Sequence, residues 1–540
     1  MLTSGAHARQ VCTSLFSTCI APATFPQGNR RLISRDPAGA SSQRTQNILK
    51  IPVVMLHASA TADQAPASMA AQVDADSKIP IQELVDLAVV WASQHGLIVG
   101  AGVADKPLAI IHAPLTVLPT QFPRGSFEKA KAAMQLFNTL IDRVSQDEEY
   151  LQTTLRPAAE YDDFTAKLLD IHRDTQHVRR QRHDRDLVLA LNRSDYMLDE
   201  PSGTLMQVEL NTISSSFGCL CTLVQQMHRY IMEHQGASQQ ELAQLPDNDV
   251  TARYVDAMAA AVQEYGHSQA IVLFVVQPGE KNSYDQQWLQ TALWERHKIR
   301  TVRRTLAQLH QEAKISSSGQ LSIQDQAVAL VYFRAGYAPT DYPSNVEWDI
   351  REQLEHCDAA LCPSVAYQLS GAKKVQQDLA RPEVLERFLD DKEQVDLIRA
   401  CFAGLWGLDD LDDPETAAVL QQAQEQPDLF VLKPQREGGG NNLYGEAAQQ
   451  KLQTRKGLSA YILMQRIRPP INRSLMVREG ELLETDTLSE LGIFGSFLRR
   501  GDKVLLNKEA GHLIRTKAAT SDEGGVAAGF AVLDSPLLTG

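Results

Sequence analysis

The sequence predicts a mixed α/β fold with more than one lobe, and three observations carry the prediction. The chain has 540 residues, more than a single compact core usually holds. Its first ordered third shows the three-to-four-residue apolar periodicity of amphipathic helices. Beyond Asp186, short apolar runs alternate with helical patterns, as strands do when crossovers lay them side by side in a parallel sheet.

The composition suits such a fold. Apolar residues make up 43% and charged residues 22%, as in ordinary globular proteins. Lys and Arg number 52 against 66 Asp and Glu, a net charge of −14. This argues against nucleic acid or an anionic membrane as the main partner, while leaving room for a local basic pocket. The best membrane-span candidate, Ala270–Val276, is far too short to cross a bilayer and reads as a buried strand. Seven cysteines are sparse for this length and fit reduced thiols. Cys219-Leu220-Cys221 and Cys357…Cys362 lack zinc-site spacing and have no His pair beside them.

Residues 1–76 differ from the rest. Arg9, Arg30, Arg31, Arg35, Arg44 and Lys50 face only Asp36 before Asp63, Ser and Thr are abundant, and no Glu occurs before Glu83. This is the composition of a transit peptide for plastid or mitochondrion. A disordered tail, or initiation at Met55 or Met69 giving a cytosolic product, is the alternative.

Residues 77–265 begin with helices. Ile81, Leu84, Val85, Leu87, Ala88 and Trp91 form one apolar stripe, stopped near Gly96. Residues 126–145 and 163–171 form the next two helices. Leu187–Leu191 reads as a buried strand ending at Asn192-Arg193-Ser194-Asp195, and Leu205–Asn211 as a second. The two-residue period places Gln207, Glu209 and Asn211 on one face of that second strand. Residues 266–375 read as a separate α/β unit, with strands at 270–276, 298–303 and 328–333 and a helix at 285–297. Residues 376–540 return to mixed structure, with strands at 430–433 and 461–464.

Two segments carry the chemistry. Lys433-Pro434-Gln435-Arg436-Glu437-Gly438-Gly439-Gly440-Asn441-Asn442-Leu443-Tyr444 joins a strand-end lysine, an acid and three glycines. Contiguous glycines let backbone N–H groups close on a phosphate. The lysine suits phosphate charge and Glu437 suits Mg²⁺. The segment lacks the Gly-Lys-Ser/Thr of a Walker loop and the spaced glycines of a dinucleotide fingerprint, so a plain flexible loop remains the competing reading. The second segment is Gln207–Ser216, where Glu209 and Asn211 offer hard oxygen donors and hydroxyls follow. An edge strand with a polar face is its alternative.

At these two places the sequence resembles the eukaryotic glutathione synthetases, an ATP-grasp family. The resemblance runs from about Ile79 to the C-terminus. It includes Leu191-Asn192-Arg193-Ser194-Asp195-Tyr196-Met197, Tyr332-Phe333-Arg334-Ala335-Gly336-Tyr337 and Gln368-Leu369-Ser370-Gly371-Ala372-Lys373-Lys374. It continues through the Lys433–Tyr444 loop, Ser489-Glu490-Leu491-Gly492, Arg515-Thr516-Lys517 and Gly524-Gly525-Val526-Ala527-Ala528-Gly529.

The resemblance implies an ATP-grasp core with an inserted parallel-sheet domain, and ATP-dependent ligation of γ-glutamylcysteine to glycine by a homodimer. It implies Arg193, Arg515, Lys373 and Lys433 as catalytic residues, and Mg²⁺ held by Glu209, Asn211 and Glu437. For ATP it implies the lid residues Gly438, Gly439, Gly440, Asn441, Asn442 and Tyr444, the hinge Met464, Gln465, Arg466 and Ile467, and Glu490, Lys517 and Glu523. The stretch before Gly524 reads one residue long, leaving Asp522 or Glu523 for the family's acidic position; Glu523, next to the glycines, is the choice. For the dipeptide it implies Arg193, Arg334 and Arg515, whose forked guanidiniums suit carboxylates. Ile213, Ser214, Ser215, Ser216, Glu280, Lys281, Asn282, Gln286 and Tyr337 accompany them. Val526 and Ala527 would face the acceptor amino acid, and the small alanines favour glycine over β-alanine, the acceptor of related homoglutathione synthetases. A catalytically inactive binding module is the rival from another class. Cys219 and Cys221, near the expected site, are read either as oxidisable thiols or as buried small apolar groups.

Overall fold

The computed structural model describes residues 79–103, 108–437, 440–527 and 529–540. The targeting segment expected at 1–76 lies outside them. Among the described residues a 13-stranded mixed sheet is the backbone of the fold. Its centre is the strand Leu187–Asp199, which pairs antiparallel with Glu481–Arg500 on one side and parallel with Ala360–Cys362 on the other. Glu481–Arg500 continues through a hairpin into Lys503–Ala518.

Alternation decides what each face buries. Val188, Ala190 and Tyr196 belong to one apolar cluster, whereas Leu187, Leu189 and Leu191 belong to another. Helices Arg124–Gln146 and Asp163–Gln181 contribute to the first; Ile81–Gln94, Gly218–His234 and Val250–Tyr265 contribute to the second. Parallel strands occur within 266–375, as part of the same 13-stranded sheet: Ile271–Val275 pairs parallel with Thr301–Arg304 and Gln326–Phe333, and Gln326–Phe333 with Ala360–Cys362. All five residues of Ile271–Val275 are buried, the continuous apolar reading of a strand covered on both faces.

Two expectations need correction. The strand that begins at Leu187 does not end at Asn192-Arg193-Ser194-Asp195; it continues to Asp199. Its charged residues are tolerated inside the sheet because Arg193 and Asp195 neutralise each other, with Arg193 Nε 2.7 Å from Asp195 Oδ1. The strand Thr204–Asn211 does not present Gln207, Glu209 and Asn211 on one face. Asp195 pairs with Glu209 but Tyr196 with Gln207, so Val208 is an extra, bulged residue. One inserted residue flips the facing of all that precede it. Gln207 therefore turns to the other side, where its amide bonds Ser194 Oγ and Gln376.

A smaller antiparallel sheet of Leu405–Gly407, Tyr461–Gln465 and Phe430–Pro434 carries its own apolar cluster with helices Pro414–Glu425 and Gly445–Thr454. It delivers Lys433 and the Gly-rich loop to the edge of the large sheet.

Candidate active site

Between the two sheets lies a cleft of about 250 Å³. Its lining gathers residues far apart in sequence: Arg193, Glu209, Asn211, Ile213, Ser214, Ser216, Glu280, Asn282, Arg334, Tyr337, Lys373, Lys433, Glu437, Asn441, Asn442, Tyr444, Met464–Ile467, Glu490, Arg515, Lys517, Glu523, Val526 and Ala527.

Four expected residues lie off that lining. Ser215 is buried behind it, its hydroxyl donating to the Asn211 carbonyl. Gln286 is fully buried and donates to Glu280 at 3.1 Å. Lys281 is exposed, and its carbonyl accepts from Gly100 N–H at 2.9 Å. Gly440 is at the surface, its N–H donating to the Glu523 carboxylate at 2.9 Å. Gly438, Gly439 and Ala528 fall outside the described residues. Met197, Val208, Phe217, Val431, Arg436, Pro469, Leu488, Ser521, Asp522, Gly524 and Gly525 also line the cleft. Most are apolar or small and carry no chemical signature in sequence.

At one end, Lys373 Nζ lies 3.4 Å from Glu209 Oε2 and 3.3 Å from Glu437 Oε1. One ammonium thus serves two carboxylates. Burial would raise Glu209, but Lys373, Lys433, Arg515 and Arg193 overcome it and hold that carboxyl down at about 2. Burial pushes Glu437 up to about 7; Lys373 pulls it down, and the like charge of Glu209 pushes it up further. Lys433 donates to the Val208 carbonyl at 2.9 Å, and burial lowers its ammonium below the usual range despite Glu209. The bulge at Val208 thus presents the carbonyl that seats this lysine.

In the middle, Arg193 and Arg515 share the Asp195 carboxylate, at 2.9 Å and 2.8 Å from Oδ2. Arg515 also pairs with Glu490. Gly492 stands opposite Asp195 in the sheet, and a Cβ there would fall 2.7 Å from Asp195 Oδ1. The glycine is what lets this ion pair fit.

At the far end, Arg334 is buried beside Asp285, 3.4 Å away, and its Nε has no partner; neither does Asn282 Oδ1. A buried orphan donor and acceptor are expensive unless a ligand satisfies them. Asp285 also accepts from the N–H groups of Phe217 and Cys219 at the start of helix Gly218–His234, at 2.9 and 3.0 Å. Cys219 and Cys221 are buried, and burial pushes both thiols far up. They are packing residues, not reactive thiols. All five described cysteines are free.

Residues 78–538 match the family model for the eukaryotic glutathione synthase ATP-binding domain. The chloroplastic glutathione synthetase of Solanum lycopersicum is 46% identical over 477 residues, covering 86% of this chain and 85% of that one. The Homo sapiens glutathione synthetase is 39% identical over 468 residues, covering 85% and 97%. The chain belongs to the eukaryotic glutathione synthetases. A solved apo structure of a glutathione synthetase-like effector from Globodera pallida superposes with a TM-score of 0.68 at 23% identity, over 85% of this chain and 97% of that one; this likeness speaks to the fold alone.

Proposed function

We propose that this synthetase joins γ-glutamylcysteine to glycine in the cleft through an acyl phosphate, releasing ADP and phosphate. The observation that carries the reading is the juxtaposition of a two-lysine, two-carboxylate cluster with a pair of guanidiniums. The first is built for phosphates, the second for the carboxylate that receives one.

Lys373 and Lys433 neutralise the ATP phosphates. Met464–Ile467 face the adenine, Glu490 the ribose, and Lys517 and Glu523 the nucleotide's outer side. By family likeness the lid would comprise Gly438 to Asn442 with Tyr444, of which Gly438 and Gly439 lie outside the described residues. Glu209, Asn211 and Glu437 are hard oxygen donors on one wall, a set that fits Mg²⁺ sharing its shell with phosphates and water. When bound, Mg²⁺ supplies charge neutralisation to the transferring phosphoryl group.

Arg193 and Arg515 hold the cysteinyl carboxylate, whose oxygen attacks the γ-phosphorus as ADP leaves. Glycine's amine then attacks the acyl carbon; the C–N bond forms, the C–O bond to phosphate breaks, and the amine gives up a proton. The chain supplies positioning and electrostatic stabilisation rather than covalent chemistry. The γ-glutamyl end, with one carboxylate and one ammonium, would meet Arg334 and Asn282, beside Glu280 and Tyr337. Ser214 and Ser216 face the peptide; Ser215 and Gln286 act from behind the lining, and Lys281 as part of the loop that carries Glu280. Val526 and Ala527 leave space for glycine. A β-alanine-using ligase is the neighbouring reading, and the small residues here favour glycine. An inactive binding module is disfavoured because Lys433, Glu437 and Arg515 are all present.

Purified protein with Mg²⁺-ATP is expected to release ADP only when γ-glutamylcysteine and glycine are both added. No ADP with that pair overturns the proposal, and kcat/KM for glycine, β-alanine and serine side by side ranks the acceptors. The family's homodimer is carried over, and light scattering tests it. The N-terminal composition and the chloroplastic relatives support plastid import over a mitochondrial address or a cytosolic product, which N-terminal sequencing of the native protein tests.

A further inference from the structure

Asp195 is fully buried and lies off the cleft lining, yet it contacts three of the residues that form it. Its Oδ1 accepts from Arg193 Nε at 2.7 Å. Its Oδ2 accepts from Arg193 at 2.9 Å, Arg515 at 2.8 Å and Asn211 Nδ2 at 2.9 Å. These donors come from three different strands. We propose that Asp195 is the positioning residue of the cleft, fixing Arg193, Arg515 and Asn211 in the arrangement that receives the dipeptide carboxylate. The proposal rests on the ligase reading above.

The argument is electrostatic and geometric. Two guanidiniums meeting at one carboxylate oxygen repel each other, and in a buried setting that repulsion is poorly screened. Asp195 offsets it and, by taking two bonds from Arg193, fixes the fork's plane. It also decides the Asn211 amide. With Nδ2 committed to Asp195, Oδ1 is the atom left for the cleft, the orientation a hard cation requires. The sheet holds the carboxylate rigidly: Gly492 stands opposite it on one side and Glu209 on the other.

The experiment compares wild type, D195N and R515K, the double variant of those two substitutions, and G492A. Wild-type ADP release with γ-glutamylcysteine and glycine comes first and tests the ligase reading by itself. Against an active wild type, folded D195N is expected to lose about 100-fold in kcat/KM for the dipeptide while the ATP KM stays within about threefold. The double variant is expected to be little worse than R515K alone, because both changes break one unit. G492A leaves every charge in place but puts a Cβ 2.7 Å from Asp195 Oδ1 and 2.9 Å from Arg193 Cδ; it is expected to reproduce the D195N pattern, and it decides the matter if D195N does not fold. Wild-type kinetics in folded D195N or G492A, or additive losses that raise both KM values together, would overturn the proposal.

Discussion

Two buried ionic clusters among the described residues differ in whether they open onto the cleft. Away from the cleft, Asp142 accepts from Arg499 and Tyr367 at 2.8 Å each, Arg179 bridges Asp186 and Glu355 at 2.9 and 3.0 Å, and Arg351 meets Glu355 at 2.5 Å. Three arginines answer three carboxylates there. In the cleft, Lys373, Lys433, Arg193 and Arg515 likewise stand against Glu209, Glu437, Asp195 and Glu490. Burial and pairing are common to both clusters, so neither distinguishes them. What differs is that all of the second set but Asp195 line an open cleft, where a charged ligand can reach them, and none of the first set does.

The first way to break this comparison is to cut the cluster away from the cleft. Arg499→Met leaves Asp142 buried against Tyr367 without its cation. A loss of about 3–5 kcal/mol in unfolding free energy is expected, measured by denaturant titration, with kcat and both KM values of the folded enzyme unchanged. A fall in kcat at unchanged stability would make this cluster part of the site.

The mirror-image change is Glu437→Gln. Turnover is expected to fall about 100–1,000-fold, by analogy with removing one preorganised electrostatic group. Thermal stability is expected not to fall, since burial already holds that carboxyl up near 7 in the free protein. A near-normal kcat would remove Glu437 from the proposed metal set.

How far sequence could reach is clear from these same residues. Helix positions followed from apolar period, and Ile81–Gln94 and Arg124–Gln146 formed as that period predicts. The Gly-rich loop and the Glu209–Asn211 pair were visible as local motifs. The bulge at Val208 was not, because one skipped backbone pairing leaves no compositional trace; it turned Gln207 away and made a valine carbonyl the seat for Lys433. From sequence, Asp195 marks the end of a strand, since a lone carboxylate in an apolar run signals a terminus. Its partners Arg515 and Asn211 arrive from other strands, and only the sheet register brings them together. The 20-residue strand Glu481–Arg500 likewise went unseen: it mixes an exposed polar start with a fully buried end, so no single period describes it.

Acid acts on the fold through histidines buried outside the cleft. His172 lies beside the Arg179–Glu355 pair, and burial, against Glu355 and alongside Arg179, lowers it to about 4. His512 is lowered to about 3 by burial, with Lys131 and Arg253 adding. A folded value below the unfolded 6.5 means the unfolded chain binds the proton first. The stability each neutral ring contributes is therefore intact above about pH 6.5 and is lost as the pH falls toward 4 and 3. Between pH 7 and pH 5, the loss is expected to be about 2 kcal/mol per histidine. His172→Gln and His512→Gln should each flatten that dependence in denaturant midpoints; an unchanged slope would place the titrating groups elsewhere.

The smallest effect tests whether burial within the cleft or mere proximity to it is what matters. Arg466 and Asp522 pair at 2.6 Å on the cleft rim, with side chains 33% and 55% exposed. Arg466 also lies over the Tyr444 ring, 5.4 Å from its centroid. This pair is one to one and open to water, so it behaves like the surface in screening. Asp522→Asn is expected to cost under about 1 kcal/mol of stability and to leave dipeptide kinetics alone. Any change belongs in the ATP KM and should fade as salt is raised from low to about 0.5 M, where the Debye length falls well below 10 Å. A salt-independent loss of kcat would show that position on the rim, without burial inside the cleft, is enough to make an ion pair functional.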